Sequence, residues 1–297
     1  MAFKSGFITI IGRPNVGKST LLNLLTGEKI SIISRKPQTT RHNIRTIVTR
    51  EDFQMVFVDT PGIHKPKNKL GEFMTNAAMD TLDDVDIILY MVEATDREIG
   101  PGDQSIISAL EKVDTPVILA INKVDLVEKS SLLPLIDIYS KAYDFKEIVP
   151  ISATDPSTVE LMFNILKQYL PEGEKLYPDD MLTDQPAKVL VQEMIREKML
   201  ELLDDEVPHG IGIEVVRYNE NEERHILGID ANIYCEKANH KAIIIGRGGE
   251  MLKKIGTRAR EDIERLFGMK VVLKLWVKVK EDWRNNDFML NELGYKS

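Results

Sequence analysis

The residues Gly12, Arg13, Pro14, Asn15, Val16, Gly17, Lys18 and Ser19 have the types and spacing to wrap a triphosphate. They fit G-x-x-x-x-G-K-[ST], in which glycines let successive backbone N–H groups turn inward toward an anion. Lys18 can reach the β- and γ-phosphates and Ser19 can ligate Mg²⁺, with Thr20 beside it at the helix start. The apolar run Gly6 to Ile11 precedes the loop and Ser19 to Leu25 follows it. A buried strand feeding a helix N-terminus is the context such a loop requires.

Three further clusters follow in order. Asp59-Thr60-Pro61-Gly62 ends the apolar strand 55–58, where the carboxylate can hold Mg²⁺ through water and the Gly62 amide can meet a γ-phosphate. Asn122-Lys123-Val124-Asp125 ends the strand 117–121. The Asp125 carboxylate can accept from guanine N1–H and its exocyclic amine, a donor pair that adenine lacks. Asn122 can tie the base pocket to the phosphate loop, and the stem of Lys123 can cover the base. Ser152-Ala153 can present a backbone N–H to guanine O6.

The elements that must position these groups alternate strand and helix through residue 170, a pattern that predicts a mostly parallel sheet with helices on both faces. In such sheets ligand loops leave the carboxyl ends of strands. Pro171, Gly173, Pro178 and Pro186 mark the change to a second rhythm, so the expected division is 1–172, a linker at 173–186, and 187–297. The second part reads α-β-β-α-α-β, a smaller α+β domain. Its last strand alternates strictly, with Val271, Leu273, Leu275, Val277 and Val279 on one side.

Charge is distributed unevenly. The formal net charge is −8, yet residues 237–280 hold 12 Lys/Arg against 4 Asp/Glu. A basic face on an acidic carrier is the footprint of a nucleic-acid contact. Inside it lies Gly246-Arg247-Gly248-Gly249, a G-x-x-G turn that lets backbone approach phosphates, with Lys253, Lys254 and Arg258 beside it. Ile243 to Ile245 and the apolar strand faces would floor a groove for unstacked bases. Trp276 could stack a base, although an edge aromatic on a solvated face is the blander expectation. His209, His225 and His240 are unclustered and read as surface residues. The single cysteine, Cys235, suits a reducing compartment and makes a poor nucleophile within a strand. Residues 1–11 read as a first strand rather than a secretory leader.

Residues 6–170 resemble a translation-factor-type GTPase domain, and the C-terminal part resembles a type II KH domain. Together with Tyr177-Pro178-Asp179-Asp180, the run 240–254 and Glu281-Asp282-Trp283-Arg284-Asn285, the chain resembles the Era-like bacterial GTPases that carry a C-terminal KH domain. That resemblance implies a Mg²⁺-dependent, slow GTPase. It assigns the switch segment 34–41, in which Thr40, or alternatively Thr39, would ligate Mg²⁺ only with a γ-phosphate present. Ile63 stands where Ras-like enzymes carry the glutamine that orients water, so water must be oriented otherwise; Asn15 as a K⁺ ligand is one route. The implied partners are 16S rRNA near its 3′ end and the 30S subunit under assembly. A monomeric, cytoplasmic protein with peripheral contact at the inner face of the membrane is implied as well. The alternatives are a GTPase driving an RNA-modifying partner, and an RNA-binding module with an inert nucleotide domain.

Overall fold

In the computed structural model, residues 2–28, 31, 36, 40, 41, 43–63, 66–82 and 84–295 are described. The chain divides into two compact units, residues 1–66 with 74–184, and residues 185–297 with 67–73.

The first unit is built on strands β1 (Lys4–Gly12), β2 (Ile44–Thr49), β3 (Phe53–Asp59), β4 (Ile87–Glu93), β5 (Val117–Asn122) and β6 (Glu147–Pro150). Their order is β2-β3-β1-β4-β5-β6, and only β2 runs antiparallel to its neighbour. Every residue of β3 and β5 is buried, the signature of strands covered on both faces. Helices α1 (Lys18–Thr26) and α5 (Ser157–Tyr169) cover one face through Leu21, Leu22, Met162 and Phe163. Helices α2 (Lys69–Asp80), α3 (Pro101–Leu110) and α4 (Lys129–Ala142) belong to the other, where Ala78, Ile106, Leu110, Leu135 and Tyr139 pack. Both nucleotide-type turns therefore emerge at the carboxyl edge of a rigid sheet.

The stretch expected as a linker is not a free tether over its first part. The buried Gln54 amide accepts from Leu176 N (2.7 Å) and Tyr177 N (2.9 Å) and donates to the Tyr177 carbonyl (2.9 Å). Farther along, Ile47 N donates to Leu182 O at 2.9 Å, and Asp184 accepts from Arg45 (3.1 Å) and Tyr177 (3.0 Å). One buried amide with all of its groups satisfied fixes chain that composition alone describes as loop.

The second unit follows the expected order: α6 (Ala187–Leu202), β7 (Gly212–Asn221), β8 (Ile226–Cys235), α7 (Ala238–Ile245), α8 (Glu250–Phe267), β9 (Lys270–Val279), and then a short α9 (Asp287–Glu292). The sheet order is β7-β8-β9, with β7 antiparallel and β9 parallel to β8. Val191, Ile195, Ile229, Ile233, Ile255, Ala259 and Ile263 form its core. Helix α6 buries charged residues beside its apolar ones, Glu193, Arg196, Glu197 and Lys198 among them. Lys198 lies 2.8 Å from Asp262, 2.9 Å from Glu197 and 3.0 Å from Glu201, so the carboxylates offset the desolvation of a buried ammonium. After β9, Trp283 donates from Nε1 to the Gly210 carbonyl at 2.9 Å and stacks with Tyr295.

Candidate nucleotide site and nucleic-acid groove

Glycine at position 17 is required by conformation and by space. Its φ is 105°, and a Cβ there would lie 2.2 Å from Asn122 Nδ2. That same Nδ2 donates to the Val16 carbonyl at 2.7 Å, while Asn122 Oδ1 accepts from Ala153 N at 2.8 Å. Asn122 thus bridges phosphate loop and base loop as expected. Of the pair Ser152-Ala153, expected to present a backbone N–H to guanine O6, the Ala153 amide is engaged by Asn122 Oδ1. The reason is proximity, since the Asn122 carboxamide stands between the two loops.

Asp125 is held by Ser152, whose Oγ donates to Oδ1 at 2.7 Å. Lys123 adopts a left-handed φ of 66° and reaches Glu93 at 2.5 Å. Asn15, Gly17, Thr20, Asn122, Lys123, Asp125, Leu126, Ser152, Ala153 and Thr154 line one cleft of about 620 Å³, large enough for a nucleoside. Leu126 and Thr154 were not anticipated. Leu126 is 63% exposed at the cleft, and only its place directly after the acidic residue could have signalled it.

At the other end of the loop three hard oxygens converge. Ser19 Oγ lies 2.9 Å from Asp59 Oδ2 and 3.2 Å from Thr40 Oγ1, and Thr40 Oγ1 lies 3.3 Å from Asp59 Oδ2. Asp59 is fully buried, and its Oδ1 has no hydrogen-bond partner among the described residues. An orphaned carboxylate oxygen beside two hydroxyls fits a small oxygen-seeking cation such as Mg²⁺. Burial raises the Asp59 carboxyl above its ordinary value, opposed by Lys18. Of the two threonines considered, Thr40 joins this cluster; Thr39 lies outside the described residues.

Lys18 is buried and donates to the carbonyls of Gly12 and Arg13, both at 3.1 Å. Gly62 packs against Pro14, whose N would lie 2.9 Å from a Cβ at position 62. Ile63 is buried among Ile11, Ala78 and Leu82; its side chain belongs to the core and orients nothing. Arg13 contributes a feature that no motif announces. Its guanidinium pairs with Asp96 and, at 2.7 Å, with Asp103. Asp103 is fully buried and accepts from the Tyr90 hydroxyl at 2.7 Å. The shoulder of the phosphate loop is therefore anchored to β4 and α3.

In the second unit, the G-x-x-G turn joins α7 to α8. Gly246 has φ 75°, and a Cβ there would meet Met251 Cβ at 2.7 Å, so no side chain fits. Gly248 (φ 60°) and Gly249 (φ 85°) face open space and are required by conformation alone. Arg247, between Gly246 and Gly248, is exposed. Of the four basic residues expected to act together, Lys253 lines both of the concavities beside α8, Lys254 and Arg258 line only one, and Arg247 lines neither. Gly249, Leu252, Lys253, Gly256, Thr257, Arg260, Leu273 and Leu275 line a groove of about 580 Å³. Lys254 and Arg258 line a second concavity with Glu250 and Glu261, and Arg258 stands 3.7 Å from Glu201. Arg260 was missed, although its i+7 spacing from Lys253 places both on one helical face. The groove floor is also corrected. Leu252, Leu273 and Leu275 form it, whereas Ile244 is fully buried in the core, Ile245 packs against that core and Ile243 is 47% exposed.

Comparison with known proteins agrees with both halves. The chain is 56% identical over its whole length to the GTPase Era of Ruminiclostridium cellulolyticum, covering 99% of that protein. It belongs to the Era family of GTPases. The Era of Caldanaerobacter subterraneus is 55% identical over 99% of this chain and 99% of its own. The family of 50S ribosome-binding GTPases matches residues 7–123, and the KH domain family matches residues 206–284. Among solved structures, Era in complex with MgGDPNP and nucleotides 1506–1542 of 16S ribosomal RNA superposes with a TM-score of 0.95 at 40% identity, covering 99% of this chain and 100% of that one. A single-residue variant of Aquifex aeolicus Era bound to GDP·AlF4⁻ gives 0.94 at 40% identity, with the same coverage.

Within this Era-family fold the buried Lys18 gives a testable proton balance. Burial pulls its ammonium down to about 8 from 10.5, with Asp59 opposing. Between those values the unfolded chain holds a proton that the folded, nucleotide-free protein has released, so stability rises with pH across that window. A triphosphate restores the charged form. Near pH 9, GTP binding is expected to take up roughly one proton, against almost none near pH 7. Calorimetry in buffers of different ionisation enthalpy measures this, and Lys18→Met removes it. Equal uptake at both pH values would show that Lys18 stays charged when buried.

Proposed function

We propose that the chain is a GTP-driven switch that binds small-subunit (16S) ribosomal RNA near its 3′ end and assists assembly of the 30S subunit. The observation that carries this reading is the groove on α8, where Lys253, Thr257 and Arg260 face Leu273 and Leu275. Cations beside an apolar floor suit single-stranded RNA, whose phosphates and unstacked bases need both. The solved Era complex with a 16S rRNA segment supports the choice of RNA.

In this reading Gly12 to Thr20 hold the phosphates and Asn122, Lys123, Asp125 and Ser152 hold guanine, with Ala153, tied to Asn122, lining the base cleft. Thr60 and Pro61 carry the turn to Gly62, whose amide meets the γ-phosphate. Ser19, Thr40 and Asp59 would hold Mg²⁺, which when bound neutralises charge developing on the phosphate oxygens. Lys18 exchanges the Gly12 and Arg13 carbonyls for β- and γ-phosphate oxygens, placing its charge where negative charge grows. Ile63 has no group with which to orient the attacking water. Backbone donors, or K⁺ held near Asn15 at its left-handed φ of 69°, take that part, and intrinsic turnover is slow. Thr40 is the residue through which γ-phosphate loss would release the switch segment.

The protein acts as a monomer in the cytoplasm, with peripheral contact at the inner face of the membrane. No helix among the described residues is long and apolar enough to cross one. The alternative of driving an RNA-modifying partner is less favoured, because burial pushes the Cys235 thiol up and away from nucleophilic use.

The test is RNA affinity with a GTP analogue, with GDP and with no nucleotide; equal values sink the switch. Lys253→Glu with Arg260→Glu is expected to weaken binding of the rRNA 3′ segment by about 10- to 100-fold and to flatten its salt dependence, while basal GTP turnover stays unchanged. Crosslinking in cells that enriches any RNA other than small-subunit rRNA would overturn the choice of partner.

A further inference from the structure

The second unit's sheet has two faces, and the groove uses only the side on which its helices pack. On β9 the residues Val271, Leu273, Leu275, Val277 and Val279 face those helices, so Val272, Lys274, Trp276 and Lys278 face the other way. That opposite face is open along β9. Trp276 is 45% exposed and Val272 52% exposed, which is unusual for a residue as costly to hydrate as tryptophan.

Charge distinguishes the occupants of such a face. Two carboxylates upon it are engaged by other groups: Glu214 accepts from Asn232 (2.9 Å) and Tyr234 (2.6 Å), and Asp230 stands 3.8 Å from Arg217. Lys274 and Lys278, two positions either side of Trp276, have no carboxylate within ion-pair distance among the described residues. The face therefore offers one π surface between two unneutralised ammonium groups, spaced by the strand repeat. A base with its flanking phosphates complements that arrangement, whereas an apolar protein surface would bury both lysines unpaired.

We propose that this open face is a second contact surface for single-stranded RNA, in which a base stacks on Trp276 and the adjacent phosphates meet Lys274 and Lys278. The proposal rests on the reading of this unit as RNA-binding. It extends the contact from the α8 groove to the opposite side of the sheet, so it concerns only RNA long enough to reach both.

The chain holds two tryptophans, and the other, Trp283, is fully buried. Acrylamide quenching of the intact protein's fluorescence therefore reports on Trp276. Two probes are compared with a GTP analogue present: a short oligonucleotide that fills only the groove, and the full 3′-terminal segment of small-subunit rRNA. The long RNA is expected to protect Trp276, and the short one to bind without protecting it. Trp276→Ala should weaken the long RNA by about 5- to 100-fold, leave the short one and basal GTP turnover unchanged, and be rescued largely by Trp276→Phe. Lys274→Ser with Lys278→Ser should reduce the salt slope of long-RNA binding by about two. Both RNAs binding while Trp276 stays unprotected overturns the proposal alone. Neither RNA binding overturns the reading beneath it. Protection by phosphatidylglycerol vesicles or by ribosomal proteins, but not by long RNA, assigns the face to a different partner and overturns the proposal as well.

Discussion

Asp125→Asn is expected to exchange guanine for xanthine. Ser152 donates to Oδ1 of Asp125, but each carboxylate oxygen has two lone pairs, so Oδ1 and Oδ2 can each accept one donor from the base's Watson–Crick edge. Asparagine replaces one acceptor with an N–H₂, which then opposes the exocyclic amine of guanine and leaves both donors unpaired. Xanthine carries a carbonyl at that position and restores the match. Sites built to pair a substrate N–H reject analogues that break the pairing by large factors, so GTP affinity should fall roughly 10³- to 10⁴-fold. Xanthosine triphosphate should bind the variant better than GTP does. Competition binding with both nucleotides decides it; a variant that keeps its preference for GTP would remove Asp125 from base recognition. Stability should barely change, because Asp125 is exposed when the cleft is open.

The second large effect belongs to Gly17→Ala. The new Cβ would sit 2.2 Å from Asn122 Nδ2 at a φ of 105°. Asn122 cannot step aside: it is 2% exposed, and its amide is committed to Val16 and Ala153. Either the phosphate loop opens or two buried hydrogen bonds break, at about 2–4 kcal/mol. Nucleotide binding should become unmeasurable and the melting temperature of the nucleotide-free protein should fall. Gly249→Ala is the control. Its φ is also positive, but nothing lies within 4 Å of the added carbon, so it pays only about 1–2 kcal/mol of left-handed strain. Retention of near-normal GTP affinity by Gly17→Ala would mean that the Asn122 bridge is dispensable.

These effects rest on residues that sequence marks openly, because a phosphate loop and a base loop are local and their glycines and carboxylates have few substitutes. The same holds for the helix Glu250–Phe267, whose buried Ile255, Ala259 and Ile263 stand at helical spacing in the sequence itself. What was not legible depends on chain crossing chain. Nothing local tells that β2 runs antiparallel, or that Gln54 clasps Tyr177 from 123 positions away. Arg260 was hidden for another reason. Its charge looked like one among many until the helix was paired with β9, and only then did position on the helix outweigh proximity to the turn. The Ala153 amide shows the limit of motif logic, since the motif names a pair of residues and not the acceptor that one of them already serves.

The anchor beneath the phosphate loop has a consequence for descent. Arg13 is charged and linked to Asp96 and to Asp103, and Asp103 has no exposure to solvent. Removing one member of such a group strands the others, at about 3–5 kcal/mol, whereas replacing the whole set by well-packed neutral residues is close to free. Single steps away from this arrangement thus lead downhill in fitness even though its distant alternatives do not. Arg13, Asp96 and Asp103 should pass through lineages as one heritable unit, kept together or lost together, although 90 positions separate the first from the last.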